Sequence, residues 1–106
     1  ICYESAFGGL TRRARRDGAE VLVALTNDAW FGRTAAPAQH FAHLAARAIE
    51  TRAAVVQAAN SGPSGWADPL GRVRGRTALD EAGAFAYRVP RAAGALHAAT
   101  PYVRWG

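Results

Sequence analysis

An α/β fold is predicted for this chain by three observations: apolar runs of strand length, alanine-rich stretches of helical spacing between them, and a turn signature near residue 70. "VLVAL", Val21–Leu25, is continuous and rich in β-branched residues, as expected of a strand buried on both faces. "PAQHFAHLAARAIETR", residues 37–52, sets Phe41, Leu44, Ala45, Ala48 and Ile49 along one side of a helix. Asp68-Pro69-Leu70-Gly71 has the residues of a tight turn, with Gly71 available for positive φ.

Taken in order, Ile1 and Cys2 read as the end of a first strand, so the chain starts within one. Phe7–Arg16 reads as an amphipathic helix, with Leu10 and Ala14 at helical spacing and Gly18 placed to end it. The strand Val21–Leu25 gives way to polar "TND", Thr26–Asp28, before the long helix over 37–52. "AVVQAA", from Ala54, is the next strand, and "SGWADPLGRVRGRT" is a hairpin around the turn at 68–71. "GAFAYRVP" supplies a last short strand stopped by Pro90. The order β-α-β-α-β-β-β, without internal repeats, is that of an α/β sheet.

A chain of 106 residues is one small domain or a piece of one. No apolar run reaches the roughly 18 residues of a membrane span. The formal charge is +5, but all thirteen basic residues are arginine and none is lysine, in a chain dominated by alanine. That is a compositional bias rather than a nucleic-acid footprint. The clusters "RRARR", residues 12–16, and "RVRGR", residues 72–76, lack interleaved aromatics and match no groove-reading motif, so they read as a solvated basic face. No nucleic-acid partner is expected.

The chemistry starts at the other end of the charge scale, with a single cysteine. Cys2 has no internal disulfide partner, so it is either core filling or a reactive thiol. In parallel sheets functional groups gather at the carboxyl ends of strands, which here are 2–4, 26–31 and 60–63. A cysteine just before a helix feels the positive end of that helix, which favours the thiolate; buried packing is the competing reading. Glu4 is a candidate general base, a substrate-orienting acid or a helix N-terminal charge. Asn27 and Asp28 are expected to tie their loop together, and Asn60, Ser61 and Gly62 to stand near the same rim. His40, on a helix beside Phe41 and Leu44, reads as structural, while His43 and His97 have no partners that suggest a metal site. Arg47, Glu50 and Arg52 are spaced as a helix-surface ion network.

The stretches "ICYES", "DGAEVLVALTNDAWFG", "PAQHFAHLAARAIETRAAVVQAANSG", "DPLGRV" and "TPYVRWG" together resemble the nitrilase-like domain of the apolipoprotein N-acyltransferase family, from end to end of the chain. "ICYE" and "NDAWFG" mark the wider carbon-nitrogen hydrolase superfamily; "PAQH" and "TPYVRWG" point to the acyltransferase branch. The resemblance implies an α-β-β-α sandwich, of which residues 1–106 are the C-terminal part, truncated at its N-terminal side. It implies a Glu-Lys-Cys triad with Cys2 as nucleophile and the glutamate and lysine upstream, which agrees with the absence of lysine here. It gives Tyr3 and Glu4 supporting roles, and puts Trp30 in the loop lining the acyl pocket. Trp30 and Phe31 then read as an apolar patch for acyl chains or as packing under their loop, with Asn60 a further pocket residue.

The implied reaction moves a fatty acyl chain from a phospholipid, through a thioester on Cys2, to the N-terminal amine of a diacylglyceryl-cysteine apolipoprotein. No cofactor is implied. Membrane attachment would come through segments outside this chain, with the domain on the periplasmic side of a bacterial inner membrane. A soluble amidase or nitrilase-type hydrolase, and a non-catalytic domain of the same fold, are the rival expectations.

Overall fold

A computed structural model describes residues 2–91 and 99–106, with Cys2 described by its backbone. A 3₁₀ turn at Cys2–Ala6 leads into helix α1, Gly8–Arg16. Strand β1, Val21–Thr26, is followed by a second 3₁₀ turn at Ala29–Phe31 and by helix α2, Ala36–Thr51. Strands β2, Ala54–Ala59, β3, Gly65–Ala67, and β4, Val73–Arg76, follow, and helix α3 spans Pro101–Trp105. The strands form one sheet in the order β1-β2-β3-β4. β1 and β2 run parallel, joined by α2 as the crossover, and β2-β3-β4 is an antiparallel meander. The α/β class expected from the sequence is the one observed. No helix among the described residues is long and apolar enough to cross a membrane.

Local chemistry accounts for the boundaries. α1 ends where Gly18 takes φ 103°, with the Asp17 N–H donating to the Arg13 carbonyl. Pro37 sits in the first turn of α2, where its missing N–H costs nothing. Gly71, at φ 83°, closes the turn between β3 and β4, its N–H donating to the Asp68 carbonyl at 2.8 Å. A Cβ at Gly71 would also stand 2.5 Å from the Ile49 Cδ1, so turn and helix touch there.

The parallel register sets Leu22 opposite Val55, and the antiparallel one sets Val55 opposite Ala67. This row meets Phe41, Leu44 and Ala48 of α2 to form the core. The opposite face carries Val23, Val56 and Trp66 in register. Here the structure corrects the expectation of a strand buried on both faces. Val23 is 65% exposed and Leu25 51%, because no described element lies over that side of β1.

Four further expectations are corrected. Cys2 belongs to a 3₁₀ turn rather than to the end of a strand, and Ile1 lies outside the described residues. α1 starts only at Gly8, so Cys2 precedes its N-terminus by a full turn and is not placed on its dipole. Residues 83–90 form no strand. Tyr87 instead lies against Gly75, where a Cβ would stand 2.6 Å from its ring, so the segment meets β4 through a side chain. Ile49, expected on the buried side of α2, is 51% exposed.

Helix α3 escaped the sequence reading, although Thr-Pro is a start signal for it. The Thr100 hydroxyl accepts the Val103 N–H at 3.1 Å and donates to the Glu50 carbonyl, which ties α3 to α2. Arg12 of α1 donates to the Tyr102 carbonyl at 2.8 Å, and Val103 is buried beneath.

Candidate active site

Parallel pairing brings the carboxyl ends of β1 and β2 side by side, Thr26 opposite Ala59, and the loops leaving them interlock. Asn27 Oδ1 accepts the Ala29 N–H at 3.2 Å and the Asn60 side-chain amide at 2.8 Å. Asn60 Oδ1 accepts the N–H of Asp28 at 3.1 Å and of Ser61 at 2.9 Å. The loop-tying expected of Asn27 is thus present. Asn60 spends its amide on the same loops, which makes it a brace at the rim.

Asp28 goes well beyond loop-tying. It is 1% exposed, and its Oδ1 accepts the Thr26 hydroxyl at 2.9 Å and faces His40 Nδ1 at 3.0 Å. The carboxylate oxygen accepts, so Nδ1 donates; in the singly protonated ring Nε2 then accepts the Ser5 hydroxyl, 2.9 Å away. Thr26, Asp28, His40 and Ser5 form a buried polar chain from the end of β1, through α2, to the turn that begins at Cys2. His40 is structural, as expected from its neighbours. The partners Asp28 and Ser5 were not foreseen, since they lie 12 and 35 residues away from it.

Arg47, two helical turns after His40 on α2, reaches the same turn. Its Nη1 donates to the carbonyl oxygens of Ala6 at 3.1 Å and of Ser5 at 3.4 Å. Nη2 donates to Glu50 Oε1 at 2.9 Å, with Nε paired to Oε2 at the same distance. The expected ion network exists for Arg47 and Glu50, turned inward onto the Cys2–Ala6 turn. Arg52 is exposed at the end of α2 with φ 53°.

Aromatic rings surround His40. The Tyr3 centroid lies 5.3 Å from it and Phe31 6.0 Å, while Trp30 stacks on Phe31 at 4.2 Å and Phe7 meets Tyr3 edge-on at 6.0 Å. Tyr3, Phe31, Gln39, His40 and His43 line a cavity of about 90 Å³. Burial, the Arg47 charge and the His40 ring hold the His43 pKa below the ordinary histidine range. Trp30 is 67% exposed, so it presents its face outward rather than packing under its loop.

Glu4 opens elsewhere, onto a pocket of about 160 Å³ lined also by Ser5, Leu10, Leu22 and Arg47. The structure therefore brings Tyr3, Trp30 and Phe31 together and sets Glu4 apart from them. A larger groove of about 320 Å³ between Trp66, Leu70, Arg72 and Arg74 lies at the hairpin turn, by the opposite end of β2. Among the described residues no three His, Cys, Asp or Glu side chains cluster to hold a metal, and His97 lies outside them.

Residues 1–94 match the family model of carbon-nitrogen hydrolases. The chain belongs to the carbon-nitrogen hydrolase family. Among curated carbon-nitrogen hydrolase relatives, it is 46% identical over 79 residues to the apolipoprotein N-acyltransferase of Geobacter metallireducens, which covers 74% of this chain and 15% of that protein. It is 42% identical over all 106 residues to the apolipoprotein N-acyltransferase of Gloeobacter violaceus, and 41% over 83 residues to that of Brucella melitensis, covering 78% of this chain. The chain spans 19% and 15% of the length of those two proteins. In this carbon-nitrogen hydrolase chain, Cys2 stands at the start of a turn held from beneath by His40, through Ser5, and by Arg47, beside the aromatic rim.

Proposed function

We propose that this chain carries the nucleophile and part of the acyl site of an apolipoprotein N-acyltransferase. The observation that carries the reading is the similarity, along the whole chain, to proteins of that name, and the exposed aromatic rim beside the Cys2 turn supports it. Cys2, as thiolate, attacks the ester carbonyl of a phospholipid; the tetrahedral oxyanion collapses, and lysophospholipid leaves as its alkoxide and takes a proton. The acyl thioester is then attacked by the N-terminal amine of an apolipoprotein. The amine loses a proton, the C–S bond breaks, and the thiolate returns as the amide forms.

Tyr3, Trp30 and Phe31 supply the apolar surface for the acyl chain, Asn60 braces that surface, and Glu4 orients the reacting groups from the other side of the turn. The general base and the oxyanion-stabilising cation of a Glu-Lys-Cys triad come from residues outside these 106, which contain no lysine. The domain works at the periplasmic face of a bacterial inner membrane, held there by segments outside this chain.

An apolar rim over a thioester keeps water from it, so the acyl-enzyme should persist until an amine arrives. Mass spectrometry of the full-length protein incubated with phospholipid and no acceptor is expected to find a fatty acyl chain on Cys2, absent from Cys2→Ala and discharged to an amide by acceptor. Steady release of free fatty acid without acceptor would favour a hydrolase. No adduct at all would favour a non-catalytic domain.

A further inference from the structure

We propose that His40 is a positioning residue: by bridging Ser5 and Asp28 it fixes the 3₁₀ turn that starts at Cys2 and so sets how fast the thiol reacts. The inference rests on the reading of Cys2 as nucleophile. Ser5 lies three residues after Cys2, one turn of 3₁₀ helix, so a constraint on Ser5 is a constraint on the backbone that carries the thiol. His40 supplies that constraint through Nε2, at 2.9 Å from the Ser5 hydroxyl. Its other nitrogen is held by Asp28, which is fixed in turn by the Thr26 hydroxyl and, through its own N–H, by Asn60.

Arg47, seven residues after His40 on the same buried stripe of α2, holds the far end of the turn by the Ser5 and Ala6 carbonyls. One helix thus grips the turn at two points. The sequence of groups Ser5, His40, Asp28 has the connectivity of a nucleophile-base-acid triad, but Ser5 is 6% exposed and His40 2%, so no acyl donor reaches either. The relay holds rather than attacks. Holding matters because attack requires a near-attack geometry, and a displacement of about 1 Å costs on the order of a hundredfold in rate.

The test uses the full-length protein with Ser5→Ala, which removes one hydroxyl, and His40→Asn, which keeps an amide donor for Asp28 but cannot reach Ser5. Quenched mass spectrometry follows acylation of Cys2 at several phospholipid concentrations in detergent micelles, and iodoacetamide reports thiol alkylation without any acyl donor. Each variant is expected to lower the maximal acylation rate roughly tenfold, with half-saturation by phospholipid changed less than about twofold. The double variant should be no slower than the slower single one, since both cut the same link. A wild-type maximal rate in Ser5→Ala, a rise in half-saturation alone, or multiplied losses in the double variant would overturn the proposal. If Cys2 of the parent protein takes no acyl chain, the nucleophile reading fails separately. Iodoacetamide then decides for the relay: equal alkylation rates in parent and variants overturn it.

Discussion

Asp28 is the residue around which the rim is organised, and its tight surroundings make it a sensitive point. Oδ1 is shared by Thr26 and His40, the N–H is held by Asn60, and Gly62 packs against the other side of the carboxylate. A Cβ at Gly62 would stand 2.2 Å from Oδ2 and 2.8 Å from the Asp28 Cβ. A side chain pinned by two bonds, on a backbone whose N–H is held by a third, cannot swing aside, so Gly62→Ala is expected to lower stability by about 2 kcal/mol, as overpacking does elsewhere. Urea unfolding checks this, and an unchanged midpoint would show the loop to be softer than its bonds suggest. The sequence displays Asn27, Asp28, Asn60 and Gly62 as polar or small residues at strand ends, which is enough to place them near one another. It does not display that Asp28 faces inward, because "TND" has the same composition whether its acid meets water or a buried histidine.

The hairpin between β3 and β4 shows the same logic at the scale of an element. Asp68 is buried at the turn, and burial by itself raises the pKa of its carboxyl; the Arg72 N–H, the Arg72 and Arg74 guanidiniums and the Leu70 N–H together outweigh this and hold it below the ordinary carboxylate range. A carboxyl whose folded pKa is depressed stabilises the fold fully above its unfolded value of about 3.9, and the contribution is lost as pH falls through the folded value. Between pH 7 and pH 2.5 the urea midpoints of the parent and Asp68→Asn should therefore converge as the pH falls below about 4. A constant gap would mean that Asp68 acts through shape rather than charge. Elements with a strong local signal were legible in advance. α2 has sixteen residues of consistent spacing, β1 has a continuous apolar run and β2 one broken only by Gln57, and the hairpin has its turn residues. Residues 83–90 alternate like a strand, yet a strand exists only where a partner edge accepts it, and partner edges are non-local. α3 is five residues long and depends on Thr100 reaching the Glu50 carbonyl, a contact invisible in its own sequence.

Seen whole, the molecule is a sheet with its core on one face and its candidate site at one rim. That arrangement explains why "ICYE" and "NDAWFG" stand far apart in sequence, since each falls on a different turn of the fold. It also explains the partial legibility of the site. The family resemblance puts Cys2, Glu4, Tyr3, Trp30 and Phe31 forward as a group, but in the fold Tyr3 packs against His40 and lines one cavity with Phe31 while Glu4 opens onto another pocket.

The uncovered face of β1 carries one more consequence. Among the described residues β1 is also one of the two edge strands of the sheet, so it combines exposed Val23 and Leu25 with an edge of backbone donors and acceptors. Such a strand is a template for its own kind: it recruits further strands in solution and seeds aggregates. These 106 residues, produced alone, should therefore elute from size exclusion as concentration-dependent oligomers, and Val23→Lys should shift them toward monomer by placing a charge on the sticky face. In the full-length protein the same substitution is expected to cost stability instead, which would mark that face as one kept out of water there.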